Sequence, residues 1–261
     1  MRTQRQHIRI LGVGLEIAVP VTVLALWALF SRDGTSFYFP PLLDIFRTFA
    51  DTWLFDRMGT DVVPSLSRLF SGYAIAVVAA VVIGIALGSS DGLRRMVDPV
   101  VQFLRAIPPP VLIPAGILVL GVGSTMKVAL IAFVCFWPVL LNTIDGVGGV
   151  DPTLRETARS FQISRRDRLF RVVLPSAAPQ IFAGARVSLA IAVIMMVVSE
   201  MVASTNGIGY FVLQSQRTYA ITEMWSGILL LAVLGYLLNG LFLLVERQAL
   251  KWHRGARTGS A

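Results

Sequence analysis

The stretch Leu69–Ser90, LFSGYAIAVVAAVVIGIALGSS, contains no charged residue. A helix needs about 20 mostly apolar residues to cross the hydrocarbon core of a bilayer, and this run is long enough. Similar runs flank it on both sides. Ala106–Met126, Val128–Ile144 and Met224–Val245 are also uncharged. Ile10–Phe30 carries only Glu16, and Val172–Ser199 carries only Arg186. The pattern predicts an all-α integral membrane protein with six transmembrane helices, over residues 10–30, 69–89, 100–122, 126–145, 179–201 and 224–245. A soluble helical protein does not need six such runs within 261 residues.

Composition agrees with this reading. Hydrophobic residues make up 55% of the chain and charged residues 15%, against about 25% charged in an ordinary soluble domain. The net charge of +8 follows from topology rather than from nucleic-acid binding. With the N-terminus inside, the inner segments hold Arg2, Arg5, Arg9, Arg94, Arg95, Arg105, Arg155, Arg159, Arg165, Arg166, Arg168, Arg171, Arg247, Lys251, Arg254 and Arg257. The outer segments hold Arg32, Arg47, Arg57, Arg68, Lys127 and Arg217. The positive-inside rule then places both termini in the cytoplasm. No small-residue cleavage site follows Phe30, so the first run reads as an anchor, not a cleaved signal. Cys135 is the only cysteine, which excludes an internal disulfide. His7 and His253, the two histidines, lie outside every run. An intramembrane enzyme would need a nucleophile with its base, or clustered metal ligands, within the spans.

The whole chain, 1–261, reads as one membrane domain. An amphipathic helix is predicted near Pro41–Leu54 in the outer segment. The inner segment 146–178 is more informative. Asp151-Pro152 opens a helix, since aspartate caps free N–H groups and proline suits the first helical position. Leu154, Ala158 and Phe161 fall at i, i+4 and i+7 on one face. Arg155, Glu156 and Arg159 flank it. Ser164, with Asp167 three residues on, reads as a second cap, and Pro175 is expected to end that second helix. Two capped helices and an apolar knob are compatible with a docking element and with a solvated loop.

Glu156-Thr157-Ala158, three residues, Gln162, nine residues and Val172-Val173-Leu174-Pro175 resemble the EAA signature of ABC importer permeases. That signature is Glu-Ala-Ala, three residues, Gly, nine residues, Ile-x-Leu-Pro. The chain departs at Thr157 and at Gln162, where the usual glycine permits a sharp turn at positive φ. Leu104-Arg105-Ala106-Ile107-Pro108-Pro109, Asn142-Thr143-Ile144-Asp145-Gly146-Val147 and Ser199-Glu200-Met201…Gly207-Ile208-Gly209-Tyr210 are similar to the nitrate, sulfonate, taurine and bicarbonate importer permeases.

The resemblance implies a type I ABC importer permease fold in a bacterial inner membrane, moving a small anion inward by alternating access. It implies a homodimer, two ATPase subunits that bind ATP and Mg, and an extracytoplasmic substrate-binding protein. Leu154, Arg155, Glu156, Thr157, Ala158, Phe161, Gln162, Leu174 and Pro175 would form the ATPase-coupling loop. The chain has no G-x-x-x-x-G-K-[ST] loop to cradle phosphates, so it is expected to bind no cofactor itself and to be non-catalytic. A stand-alone channel or secondary transporter is the alternative, but it gives the loop no task.

Charges inside spans usually face a cavity or a partner. Arg186, Glu200, Asn206 and Pro109 are therefore candidates for the translocation path. Arg186 also suits a structural pair with a neighbouring helix. Glu200 suits backbone donors, an arginine, or a gate beside Asn206-Gly207. Pro108-Pro109-Pro110 fits either a cavity lining or a helix that begins at Pro110. Gly84-x-x-x-Gly88 fits close helix packing, within one chain or between two.

Overall fold

A computed structural model describes residues 37–251 continuously, together with 18–19, 21–22, 25–29 and 31. Every element named for residues 37–251 is helical. They are α1 (Leu42–Ala50), α2 (Val63–Gly88), α3 (Asp91–Arg105), α4 (Leu112–Leu120), α5 (Ser124–Gly148), α6 (Pro152–Ser160), α7 (Arg165–Arg168), α8 (Leu174–Val202), α9 (Ile208–Arg217) and α10 (Ile221–Ala249). The helix expected near 41–54 is α1, prolonged by a π-helical segment at Asp51–Asp56. The run over 10–30, Glu16 and the last ten residues lie wholly or mostly outside the described residues.

Among the described residues, four helices are long and apolar enough to cross a membrane: Met58–Gly88, Ser124–Gly148, Arg165–Val202 and Ile221–Ala249. The span expected over 100–122 is not one helix. Asp91–Arg105 and Pro109–Leu120 are separate pieces bent by 77°. The cause is Pro108-Pro109-Pro110, three consecutive residues without an N–H to continue the ladder. Counted as one span, the pair makes five.

Pro175 does not end a helix. A π-helical segment at Leu169–Val173 joins α7 to α8, so helix runs on from Arg165 to Val202. There the Leu174 N–H reaches back to the Leu169 carbonyl, five residues instead of four. The wider turn re-registers the ladder just before the proline, which then sits at the start of α8, where a missing N–H costs little.

The chain falls into two compact groups, 1–57 with 212–230 and 58–211 with 231–261. In the first, the Trp53 indole donates to Ser226 Oγ (3.3 Å) and the Trp225 indole to the Tyr38 carbonyl (2.9 Å). Trp27 stacks edge-on against Trp225 at 4.6 Å.

The second group is built on α2, α5 and α8, which pack on one another. Gly72, Ala76, Ala80, Gly84 and Gly88 recur every four residues on α2, and all are buried. A Cβ at Gly72 would lie 2.7 Å from Ile131 Cγ2, and one at Gly84 would lie 2.6 Å from Thr143 Cβ. The small-residue stripe therefore brings α2 against α5 within one chain, a close approach that larger side chains would prevent. Gly184 does the same for α8, where a Cβ would lie 2.8 Å from the Pro138 carbonyl oxygen. Polar bonds add to this packing. Ser188 Oγ donates to the Cys135 carbonyl (2.8 Å), and the Tyr73 hydroxyl donates to the Ala185 carbonyl (2.9 Å).

Candidate functional site

The loop between α5 and α8 is shaped by its caps. Asp151 Oδ1 accepts from the Thr153 N–H (2.8 Å) at the start of α6. At the other end the Gln162 N–H donates to Arg159 O (2.9 Å), and the Ile163 N–H donates to Ala158 O (3.0 Å). These two bonds form a Schellman motif, whose C′ residue must be left-handed. Gln162 has φ +52°, so it occupies the place where the family pattern has glycine. The turn forms nonetheless, with a side chain carrying the strain. We predict that Gln162→Gly stabilises this loop by about 1 kcal/mol. Slower amide exchange across 152–163 would show it; faster exchange would refute it.

Ser164 then caps α7. Its Oγ accepts from the Asp167 N–H (3.1 Å) and donates to Asp167 Oδ2 (2.7 Å). The three apolar residues at i, i+4 and i+7 do not share one environment. Ala158 is turned inward at 3% exposure, while Leu154 and Phe161 stand out at 49% and 77%. Arg155 anchors α6 by donating to the carbonyls of Val147 and Gly148. Thr157 and Glu156 are exposed. Leu174 and Pro175 lie in the first turn of α8 and are half-buried.

A second constellation lies near the far end of α8. Asp61, in the π-helical segment Met58–Val62 that leads into α2, and Ser65 and Arg68, in the first turns of α2, are spaced i, i+4 and i+7 along one continuous helix. All three are buried. Glu200 is fully buried, two residues before α8 ends at Val202. Arg68 Nη1 meets Glu200 Oε1 at 2.8 Å, Arg68 Nη2 donates to Asn206 Oδ1 (2.6 Å), and Arg68 Nε donates to Ser124 Oγ (3.0 Å). Ser65 Oγ lies 2.8 Å from both Glu200 oxygens.

The same side chains cap α9. A helix begins with N–H groups that lack partners inside it. Here the Gly207 N–H donates to Asp61 Oδ1 (2.6 Å), the Ile208 N–H to Ser65 Oγ (3.0 Å), and the Gly209 N–H to Glu200 Oε2 (3.1 Å). Carboxylates suit a helix N-terminus electrostatically. Gly207 has φ +115°, and a Cβ there would lie 2.5 Å from the Glu200 carboxyl group. One arginine and one glutamate thus tie α2, α5, α8 and α9 together.

The structure brings Glu200 and Asn206 into one network, but not Arg186 or Pro109. Arg186 is exposed, and its Nε lies 3.3 Å from Asn239 Oδ1 on α10. Pro109 lines a cavity of about 340 Å³ with Arg105, Phe133, Trp137, Pro138 and Ile191. Counting charges by loop misses Asp61, Ser65 and Arg68, and it misreads Arg68 and Lys127 as loop residues. Lys127 is buried, with Nζ on the Gly123 carbonyl (3.3 Å). The i, i+4, i+7 spacing of 61, 65 and 68 was the available signal.

Comparison with known proteins fits this architecture. Residues 72–251 match the family described as "Binding-protein-dependent transport system inner membrane component". The chain is 32% identical to the putative aliphatic sulfonates transport permease SsuC of Bacillus subtilis, over 90% of this chain and 86% of that one. It is 31% identical to the taurine transport system permease TauC of Escherichia coli, over 72% and 69%. It is 29% identical to the nitrate import permease NrtB of Synechococcus elongatus, over 75% and 74%. A chain in inward-facing structures of the MetNI methionine ABC transporter shares the fold, with a TM-score of 0.64 at 20% identity, over 72% of this chain and 94% of that one. The family match takes in α3 to α10, the whole α6 loop, and Glu200 and Asn206 of the buried network, while Asp61, Ser65 and Arg68 precede it; the chain belongs to the binding-protein-dependent inner-membrane permeases of ABC transporters.

Proposed function

We propose that this chain is the permease subunit of an ATP-driven importer for a small anionic solute, working by alternating access. Sulfonates, taurine, nitrate and bicarbonate, named for its relatives, define the class. In this reading the chain forms one domain of six spans in a bacterial inner membrane, with both termini and the α6 loop in the cytoplasm. Two copies pair. Two ATPase subunits, holding ATP and Mg, dock on the loops, and an extracytoplasmic binding protein delivers solute to the other side. The permease itself catalyses no reaction and holds no cofactor.

The observation that carries this reading is the α6 loop. Leu154 and Phe161 are held out from the membrane helices by a helix anchored through Asp151, Arg155 and the Gln162 turn. Apolar residues fixed in this exposed position suit insertion into a partner's cleft. Arg186, Asn239 and the cavity at Pro109 are candidates for the solute's path. Glu156 is exposed on the same helix as Leu154 and suits a basic group on the ATPase.

Glu156→Lys tests the assignment. We expect uptake of radiolabelled solute to fall at least about tenfold, one charge-assisted contact being worth about 1.5–3 kcal/mol, while the amount of chain in the membrane stays unchanged. Uptake at the wild-type rate would contradict it.

A further inference from the structure

We infer that the cavity beneath α6 is a binding site for a phosphate-type oxyanion. The cavity, about 110 Å³, is lined by Ser89, Val147, Arg155, Arg159, Arg168 and Val173. Three arginines therefore line one small space, and among the described residues no carboxylate lines it.

Three carboxylates nearby in sequence are engaged elsewhere, and Asp91 is exposed and outside the lining. Asp145 pairs with Arg94 at 2.7 Å, Asp167 pairs with Arg171 at 3.2 Å, and Asp151 caps α6. Glu156 is exposed on α6 and is not part of the lining. Like charges held together repel, and an anion removes that cost.

The Arg155 guanidinium is fixed beside the cavity, its Nη2 held by the carbonyls of Val147 and Gly148. The guanidinium fork matches phosphate oxygens, and arginine is the residue most suited to that geometry. Ser89 contributes no free donor, because its hydroxyl bonds to the Ile85 carbonyl (2.6 Å).

The cavity sits where α2 and α5 end and where the α6 loop turns toward α8. Two sources of phosphate reach that level: the headgroup of an anionic lipid and free anion in solution. In either case a bound phosphate bridges the α6 loop to the span ends. It would hold α6 in place for docking.

The test uses the full-length chain in phosphatidylcholine nanodiscs, with amide hydrogen exchange read over 152–163. Inorganic phosphate at ten times its dissociation constant should slow exchange about tenfold. Chloride at matched ionic strength should not. Nanodiscs that also contain phosphatidylglycerol are the second arm. Slowing by phosphate in phosphatidylcholine alone identifies free anion; slowing only with phosphatidylglycerol identifies the headgroup. The double variant R159Q/R168Q should lose the effect, and R165Q/R166Q, outside the cavity, should keep it. The proposal is overturned if neither probe slows exchange, if chloride matches phosphate, or if R159Q/R168Q, with wild-type helicity by circular dichroism, responds like the wild type.

Discussion

Arg68→Met is expected to remove about 3–5 kcal/mol of folding stability, because it leaves the buried Glu200 carboxylate without its cation. Glu200 is 0% exposed and Arg68 6%. Ser65 and the Gly209 N–H would remain on the carboxylate, but neither neutralises it. The loss extends beyond the pair. Arg68 also holds Asn206 and Ser124, so the segment leading into α9 and the first turn of α5 would loosen together. The same reasoning makes a second, sharper statement. Replacing both charges, in Arg68→Met with Glu200→Met, should recover part of the loss, since two apolar side chains leave no unpaired charge. Denaturant unfolding of the purified chain in detergent, followed by tryptophan fluorescence, measures both. A single variant within about 1 kcal/mol of wild type would contradict the account of this network. So would a double variant worse than the sum of the two singles.

Leu154→Asp with Phe161→Asp is expected to uncouple the chain from its ATPase without unfolding it. Both side chains are exposed, so the substitutions bury no charge in the isolated chain. If they are the anchors of the docking surface, losing them costs about 2–4 kcal/mol of association, or about 30- to 800-fold in affinity. Ala158 differs, being buried within the chain. Ala158→Asp should damage folding, which is why the uncoupling test avoids it. Titrating ATPase against the immobilised permease reads the effect. Affinity within twofold of wild type would remove Leu154 and Phe161 from the interface.

Much of the helical content could be read from charge-free runs, because the bilayer requires long apolar segments whatever their partners. What could not be read depended on tertiary contacts. Gly84-x-x-x-Gly88 announced close packing, yet only the packed chain shows that the stripe reaches back to Gly72 and that Ile131 and Thr143 fill the space above it. The three prolines at 108–110 allowed two readings, and the 77° bend shows a broken helix. Pro175 looked like a stop because a π-helical segment leaves no plain mark in sequence. Gln162 adopts the left-handed turn without being glycine, since two backbone bonds of the Schellman motif hold it there.

The buried network was half legible. Glu200 stood out as a charge within an apolar run. Its partner Arg68 did not, because it precedes the uncharged stretch at Leu69 and passes for a loop residue. Charge counting treats every arginine near a span end alike. Only the spacing from Asp61 through Ser65 to Arg68 separates an inward face from a solvated one.

The central claim is that this chain is one subunit of an ATP-driven assembly. The most direct measurement is affinity purification of the tagged chain from native membranes in mild detergent, with co-purifying proteins identified and counted by mass spectrometry. We predict an ATPase carrying a phosphate-binding G-x-x-x-x-G-K-[ST] loop, at about one copy per permease chain, and its loss in the Leu154→Asp with Phe161→Asp variant. Recovery of the wild-type chain folded and without any ATPase, in several detergents, would contradict the claim and favour a stand-alone channel or secondary transporter.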